Sequence, residues 1–247
     1  MVDSSILQSM VDYASLNQND VVLDIGAGLG FLTRFLANKC KWVLAVESDA
    51  GLVKGLREQV KDLPTVKVVE GDVFKVHIPQ FNKVVSIPPY HISSHLLLWL
   101  FRQKIDRAVL ILQKEFANRL IAHVKSEDYG WLAVVAYYYV EVELLDEVPK
   151  WMFYPQPKVA SVVIRLKPKK PHPFTLKSEV MFKQLTQSLF THRNRKVGNA
   201  VLPFIRGAFA TRAESAIEMV EGLSFRDKRV RELAPEDFGA LSNVLVE

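Results

Sequence analysis

The chain has a single cysteine, Cys40, among 247 residues, which excludes an intrachain disulfide and a cysteine-built metal cluster. No apolar run reaches the roughly 18 residues that a membrane-crossing helix needs. The first residues carry no signal-peptide pattern, so the expectation is a soluble, cytoplasmic protein. The six histidines show no H-E-x-x-H spacing, and no metal is expected. Internal repeats and long low-complexity segments are also missing. Glycine is scarce at 11 residues, yet three of them fall within five positions, at 26, 28 and 30. What remains is 49% apolar and 24% charged, the composition of a folded protein with a sizeable core.

The net charge of +5 is unevenly spread. Residues 1–149 hold 15 basic and 18 acidic side chains, a net of −3, whereas residues 150–247 hold 17 and 9, a net of +8. Positive charge confined to one segment fits a polyanionic partner, although a solvated surface also accounts for mild basicity.

Short β-branched runs at 21–25, 42–47, 66–69, 83–86 and 108–112 read as buried strands. Amphipathic stretches at 31–37, 52–60, 95–101 and 116–124 read as helices. This alternation predicts a parallel sheet covered on both faces, an α/β fold. Runs at 137–145 and 162–166 follow without an evident helix between them and fit an antiparallel hairpin at the sheet edge. The breaker KPKKPHP at 167–173 marks a domain boundary, giving a catalytic domain over 1–170 and a smaller helical domain over 171–247. Helices are expected there at 180–190, 198–204, 214–220 and 235–244.

The sharpest local signal is Asp24-Ile25-Gly26-Ala27-Gly28-Leu29-Gly30, a strand running into a glycine turn that opens a helix. Position 31 is Phe, so the dinucleotide pattern G-x-G-x-x-G/A is not met. G-x-G-x-G with an aspartate two residues ahead is instead the pattern of S-adenosylmethionine-dependent methyltransferases. Asp24 either braces the loop or meets the methionine amino group; the sequence leaves both open. Glu47 ends the second strand, where an acid accepts from both ribose hydroxyls of a bound nucleoside. Asp49 reads as a helix cap. Asp72 ends the third strand, where it suits the exocyclic amine of the cofactor adenine, with the Val73 N–H donating to the ring. Ordinary turn chemistry also explains a Gly-Asp pair there. The series of three strand ends is more specific than any member.

The fourth strand ends in Ile87-Pro88-Pro89-Tyr90. Two prolines stiffen the turn and remove N–H groups, leaving carbonyls to accept. Tyr90 offers a face for stacking a flipped-out base; a proline turn beside a core tyrosine is the plainer alternative.

With these residues in place, the chain resembles the ribosomal small-subunit RNA adenine dimethyltransferases, and among them an archaeal-like member. The likeness runs from Met1 to about Asn243. It includes Leu112-Gln113-Lys114-Glu115 with Arg119-Leu120, Asp128-Tyr129-Gly130, and Phe153-Tyr154-Pro155-Gln156-Pro157-Lys158-Val159 with Ser161. It continues through Phe190 with Arg193-Asn194-Arg195-Lys196 and Asp227-Lys228-Arg229-Val230-Arg231-Glu232-Leu233. Two departures stand out. The family's fourth-strand motif is usually Asn-Leu-Pro-Tyr, and Ile87 cannot accept from the target amine as that Asn does. A Gln- and Phe-containing segment that helps hold the cofactor precedes the residues matching Met1-Val2-Asp3 in the family, and the expectation is that this reading frame begins after it.

The resemblance implies a Rossmann-like methyltransferase sheet and S-adenosylmethionine as cofactor. It implies N6,N6-dimethylation of two adjacent adenosines near the 3′ end of small-subunit ribosomal RNA, carried out by a monomer on immature subunits. Ile87, Pro88, Pro89, Tyr90 and Phe153 are the expected catalytic set, with Phe153 and Tyr90 sandwiching the base; Phe153 also reads as a core aromatic. Asp24, Gly26, Gly28, Glu47, Asp72 and Val73 are the expected cofactor set. Arg193, Arg195, Lys196, Lys228, Arg229 and Arg231 form the expected RNA surface, against the alternative of a solvated basic face. An assembly factor that binds immature subunits with weak or no methylation is the competing expectation, motivated by Ile87 and the start of the chain.

Overall fold

Strands buried on both faces read as unbroken apolar runs, and the centre of the sheet is built from such runs. The computed structural model describes residues 3–209, 213–223 and 225–246; Met1 and Val2, the start of the family likeness, lie outside them. The elements are, in chain order, α1 (Ser4–Ala14), β1 (Val21–Ile25), α2 (Phe31–Ala37), β2 (Trp42–Glu47), α3 (Ala50–Gln59), β3 (Val66–Glu70) and β4 (Lys83–Ser86). Then come α4 (Ser93–Leu100), β5 (Arg107–Gln113), α5 (Lys114–Leu120), α6 (Trp131–Tyr139), β6 (Val140–Val148) and β7 (Ser161–Pro168). Four helices follow, α7 (Glu179–Phe190), α8 (Val197–Ala208), α9 (Ala213–Glu221) and α10 (Pro235–Val244).

The chain forms two compact units, one of Met1–Ala117 with Glu141–Pro168, the other of Asn118–Val140 with Lys169–Glu247. The first unit holds a seven-stranded sheet in the order β3-β2-β1-β4-β5-β7-β6. β1 to β5 pair in parallel, and β7 runs antiparallel to β5. This is the doubly wound arrangement with its switch point between β1 and β4, where ligands of such sheets bind. Ile6, Leu7, Met10 and Val11 of α1 pack with Leu32, Leu36, Val85, Val109 and Ile111 in one core cluster. Ala45, Leu56 and Val60 form a second.

The second unit is helical, built on α6, α7, α8 and α10. Its centre includes Phe182, Leu185, Val201, Phe238 and Leu241, all fully buried. The Tyr129 hydroxyl donates to the Leu233 carbonyl at 2.9 Å, which satisfies a phenol that burial would otherwise leave unpaired.

Two sequence expectations need correction. Residues 137–139 are the last turn of α6, and the strand begins only at Val140. Seven of the nine α6 residues are buried, so the helix shows no 3.6-residue stripe, and three consecutive tyrosines mimic a strand. The segment 118–140, read as part of the first domain, groups with the second unit. The helix α1 was not anticipated, although Ile6, Leu7, Met10, Val11 and Ala14 are its buried face and Asp3 caps it by accepting from the Ser5 N–H at 2.9 Å.

A buried ion pair ties the base of the sheet. Lys83 lies 2.8 Å from Asp20, with side chains 10% and 4% exposed, and Asn82 and the Asn17 N–H also donate to that carboxylate. Burial alone would raise the Asp20 carboxyl, but these hydrogen bonds outweigh it and hold it below its ordinary value. Lys83→Met leaves the acid without its cation and should destabilise the protein by about 3 kcal/mol at pH 7, the low end for a broken buried pair because the Asn donors remain. Asp20's depressed value means that its stabilisation is present above its unfolded pKa of about 4 and disappears as pH falls through the folded one. Urea unfolding should therefore show the gap between wild type and Lys83→Met shrinking in strong acid.

Candidate active site

The site grows from the carboxyl ends of the parallel strands. β1 ends in Gly26, Gly28 and Gly30, with φ of 68°, 59° and 85°, a region that side chains rarely adopt. A Cβ on Gly26 would lie 2.9 Å from Pro89 Cδ, so the glycine turn and the proline turn after β4 come into direct contact. Ser86 fastens the two strand ends, its hydroxyl donating to the Ile25 carbonyl at 2.6 Å and accepting from the Ile25 N–H at 3.2 Å.

Three carboxylates stand around this junction, each held differently. Asp24 is 1% exposed and accepts from the Thr33 hydroxyl at 2.7 Å, which ties β1 to the first turn of α2. Glu47 is also buried; one oxygen accepts from the Gly28 N–H at 2.9 Å, the other from the N–H groups of Ser48 and Asp49 at 2.7 and 2.9 Å. Asp72 accepts from the Phe74 N–H at 3.0 Å and is about two-fifths exposed. Asp49 caps α3 by accepting from the Leu52 N–H at 2.9 Å.

Two cavities meet at Gly26. One, of about 470 Å³, is lined by Glu47, Asp72, Val73, Phe74, Pro89 and His95 among others. The other, of about 370 Å³, is lined by Asp24, Gly28, Leu29, Phe31, Ile87 and Pro155 among others. The fit to a nucleoside bearing a cationic chain is direct: backbone that only glycine allows, two carboxylates in the first cavity and a third in the second. Phe74, stacked on His95 with ring centroids 3.9 Å apart, was missed by sequence reasoning, as was Pro155 as a cavity wall. Their only signal is proximity in space.

After β4, the Pro89 carbonyl accepts from the Ile92 N–H at 3.2 Å. Among the described residues no backbone N–H engages the carbonyls of Ile87 or Pro88, and Pro88 is buried. The Ile87 side chain is half-buried and packs, with Phe153, against the first core cluster. Tyr90 is half-buried and its hydroxyl shares a 2.5 Å hydrogen bond with Ser161. Pro88, Tyr90 and Phe153 line neither cavity.

The basic residues lie in the second unit, where residues around 193–198 and 226–231 run side by side, bridged at Lys196 and Arg229. Their roles divide. Arg193 donates to the carbonyls of Glu127 and Ser126 at 2.8 and 3.1 Å, Lys196 pairs with Asp227 at 3.0 Å, and Arg229 donates to the Asn194 carbonyl. Arg195, Lys228 and Arg231 are exposed, with no side-chain hydrogen bond or ion pair among the described residues.

The model of the family described as ribosomal RNA adenine dimethylase matches residues 1–234. The chain belongs to that family. It is 36% identical over its whole length to a probable ribosomal RNA small subunit methyltransferase A of Methanosarcina acetivorans, covering 91% of that protein. It is 38% identical over 98% of its length to the protein of the same description from Methanopyrus kandleri, covering 88% of it. Among solved structures, a dimethyladenosine transferase from Plasmodium falciparum superposes with a TM-score of 0.85 at 26% identity, over 98% of this chain and 95% of that one. The 23S rRNA methyltransferase ErmE gives 0.69 at 27% identity, over 98% of both chains. The fold is thus the Rossmann-like methyltransferase fold, and the activity is that of an rRNA adenine dimethyltransferase. Membership implies S-adenosylmethionine as methyl donor.

Burial raises the Asp24 carboxyl to about 7; the Thr33 hydroxyl opposes this and the charge of Glu47 adds to it. A folded value above the unfolded one, about 4, means that the folded chain holds a proton the unfolded chain has released. The associated stability is present below about pH 4 and is lost as pH rises through about 7. Asp24→Asn keeps an acceptor for Thr33 and removes the titration. Its melting temperature should vary less than wild type between pH 5 and 8, and parallel calorimetric curves for the two proteins would refute the assignment.

Proposed function

We propose that the protein dimethylates two adjacent adenosines near the 3′ end of small-subunit ribosomal RNA, acting as a cytoplasmic monomer on immature subunits. The observation that carries this reading is the contact between Gly26 and Pro89, which sets a cofactor turn against a pair of unengaged carbonyls. The small-subunit assignment draws on the relatives of that description at 36–38% identity.

Bound S-adenosylmethionine supplies an electrophilic methyl on a good leaving group. The chain's part is to bind and orient. Glu47 keeps lone pairs for the ribose hydroxyls, and its hydrogen bond from Gly28 fixes the glycine loop in place. Asp72 accepts from the adenine amine of the cofactor, with the Val73 N–H facing the ring. Asp24 acts mainly through Thr33, as a brace. At the target, the carbonyls of Ile87 and Pro88 accept the amine protons, which draws the nitrogen toward a pyramidal shape and frees its lone pair. Tyr90 and Phe153 hold the base between them, and the released proton passes to water. The second transfer needs only one of the two carbonyls, because one amine hydrogen remains.

The exposed cations Arg195, Lys228 and Arg231 are the phosphate contacts in this reading, whereas Arg193, Lys196 and Arg229 shape the surface that presents them.

Three measurements test it. Glu47→Gln should weaken S-adenosylmethionine binding by about 1–3 kcal/mol in calorimetry, the range for a lost charged partner; unchanged affinity would remove Glu47 from the ribose. Replacing Arg195, Lys228 and Arg231 with Ala should leave cofactor affinity alone and flatten the salt dependence of subunit binding by roughly 0.7–0.9 per lost phosphate contact. Single-turnover transfer into immature small subunits, read by mass spectrometry of the RNA, decides the function itself. Normal subunit binding with no transfer would instead identify an assembly factor.

A further inference from the structure

The first side chain of β7 is a hydroxyl in apolar company. Ser161 is 0% exposed and is followed by Val162, Val163 and Ile164, all buried. A polar group enclosed in this way costs free energy unless it is hydrogen-bonded. Its place in the sheet, opposite Gln113 of β5, asks for no particular side chain. The hydroxyl is satisfied instead by the Tyr90 hydroxyl, at 2.5 Å.

Tyr90 belongs to the turn after β4, and β5 lies between β4 and β7 in the sheet. The phenol therefore reaches across the carboxyl end of β5 to its partner. Its main chain is held at the other end, where the Ser93 hydroxyl donates to the Tyr90 carbonyl at 2.8 Å and the Ile92 N–H donates to the Pro89 carbonyl at 3.2 Å. With main chain and hydroxyl both fixed, the axis of the ring has one direction. Burial raises the Tyr90 phenol above its ordinary value, and the bond to Ser161 opposes the rise. The hydroxyl thus keeps its proton at neutral pH and is not a base for the methylated nitrogen. Ser161 also closes the loop that follows β6, and that loop carries Phe153. One hydrogen bond joins the two segments whose rings flank the target base in the reading above. We propose that Ser161 is a positioning residue for methyl transfer, fixing the direction of the Tyr90 ring on which the target adenine stacks. The proposal rests on that functional reading and adds to it a buried residue that acts only through Tyr90.

The test is a double-mutant cycle in single-turnover transfer to immature small subunits, with wild type, Ser161→Ala, Tyr90→Phe and the double variant. Tyr90→Phe keeps the stacking face and removes the same bond from the other side, so the outcome does not rest on the buried variant alone. Each single variant should lower the rate at saturating subunits about tenfold, a fraction of the roughly hundredfold that a misplacement of about 1 Å costs. Cofactor affinity and the subunit concentration giving half the maximal rate should stay at wild-type values. The double variant should be no slower than the slower single one, because both changes remove one contact. In protein labelled with 13C-tyrosine, the Tyr90 ring signal, identified by its absence from Tyr90→Phe, should shift in Ser161→Ala. Wild-type rates in either single variant overturn the proposal while leaving the function intact. Losses that multiply in the double variant, or an unmoved Tyr90 signal, overturn it in favour of a structural role for Ser161 in β7. No transfer by wild type, with subunits bound normally, fails the functional reading and takes the proposal with it.

Discussion

Gly26 has space for a hydrogen and nothing larger. A side chain there would meet Pro89 at 2.9 Å, on a backbone already at φ 68°, and most of the site depends on that closeness. The turn after β1 and the turn after β4 are neighbours because their strands are paired and because Ser86 fastens the last residue of β1 through both its N–H and its carbonyl. Two cavities then meet at one glycine. On the proposed reading, this closeness is what would bring a methyl donor and a base at the proline turn within reach of each other, and such positioning lowers a barrier.

The three acids show how one chemical type is put to different uses by burial and partners. Asp24, enclosed and given one hydroxyl donor, is pushed up to about 7 and is poorly suited to carry a fixed charge. Glu47 is nearly as enclosed but receives three backbone N–H groups, which fix both of its oxygens in place. Its placement also couples the two sides of the turn, since the residue that holds the Gly28 N–H lines the first cavity. Asp72, more open, is kept in orientation by its own turn. On the proposed reading, a cationic methyl donor would meet Glu47 and Asp72 already oriented, so that little reorganisation remains for the moment of reaction.

How much of this was legible in the sequence follows from the range of the interactions. β1, β2 and β4 announce themselves as apolar runs that lead into a glycine turn, an acid and a proline pair, and the glycine turn with the acids after β2 and β3 is the expected cofactor set. α6 hid because burial on all sides erases periodicity, and its grouping with the second unit is a matter of packing that no local pattern expresses. The Thr33 partner of Asp24 lies nine residues away and the Ser161 partner of Tyr90 lies 71 away; neither spacing is a motif. The basic residues make the point most clearly. Arg193 and Arg195 are two positions apart and equally cationic, yet one secures the backbone at Ser126 and Glu127 while the other is exposed. Charge counts cannot separate a structural arginine from one available to a phosphate.

On the proposed reading, the same distinction between side chain and backbone lets Ile87 stand where the family usually has Asn. An acceptor for an amine proton need not be a side chain. Pro88 and Pro89 have no N–H to offer, and among the described residues a backbone N–H engages the Pro89 carbonyl but not those of Ile87 or Pro88. An acceptor made of backbone survives any substitution that preserves the turn, and the turn is fixed by Gly26 on one side and by two proline rings on the other. The side chain at 87, like that of Phe153, packs against the core, a use for which an apolar residue serves and an amide does not.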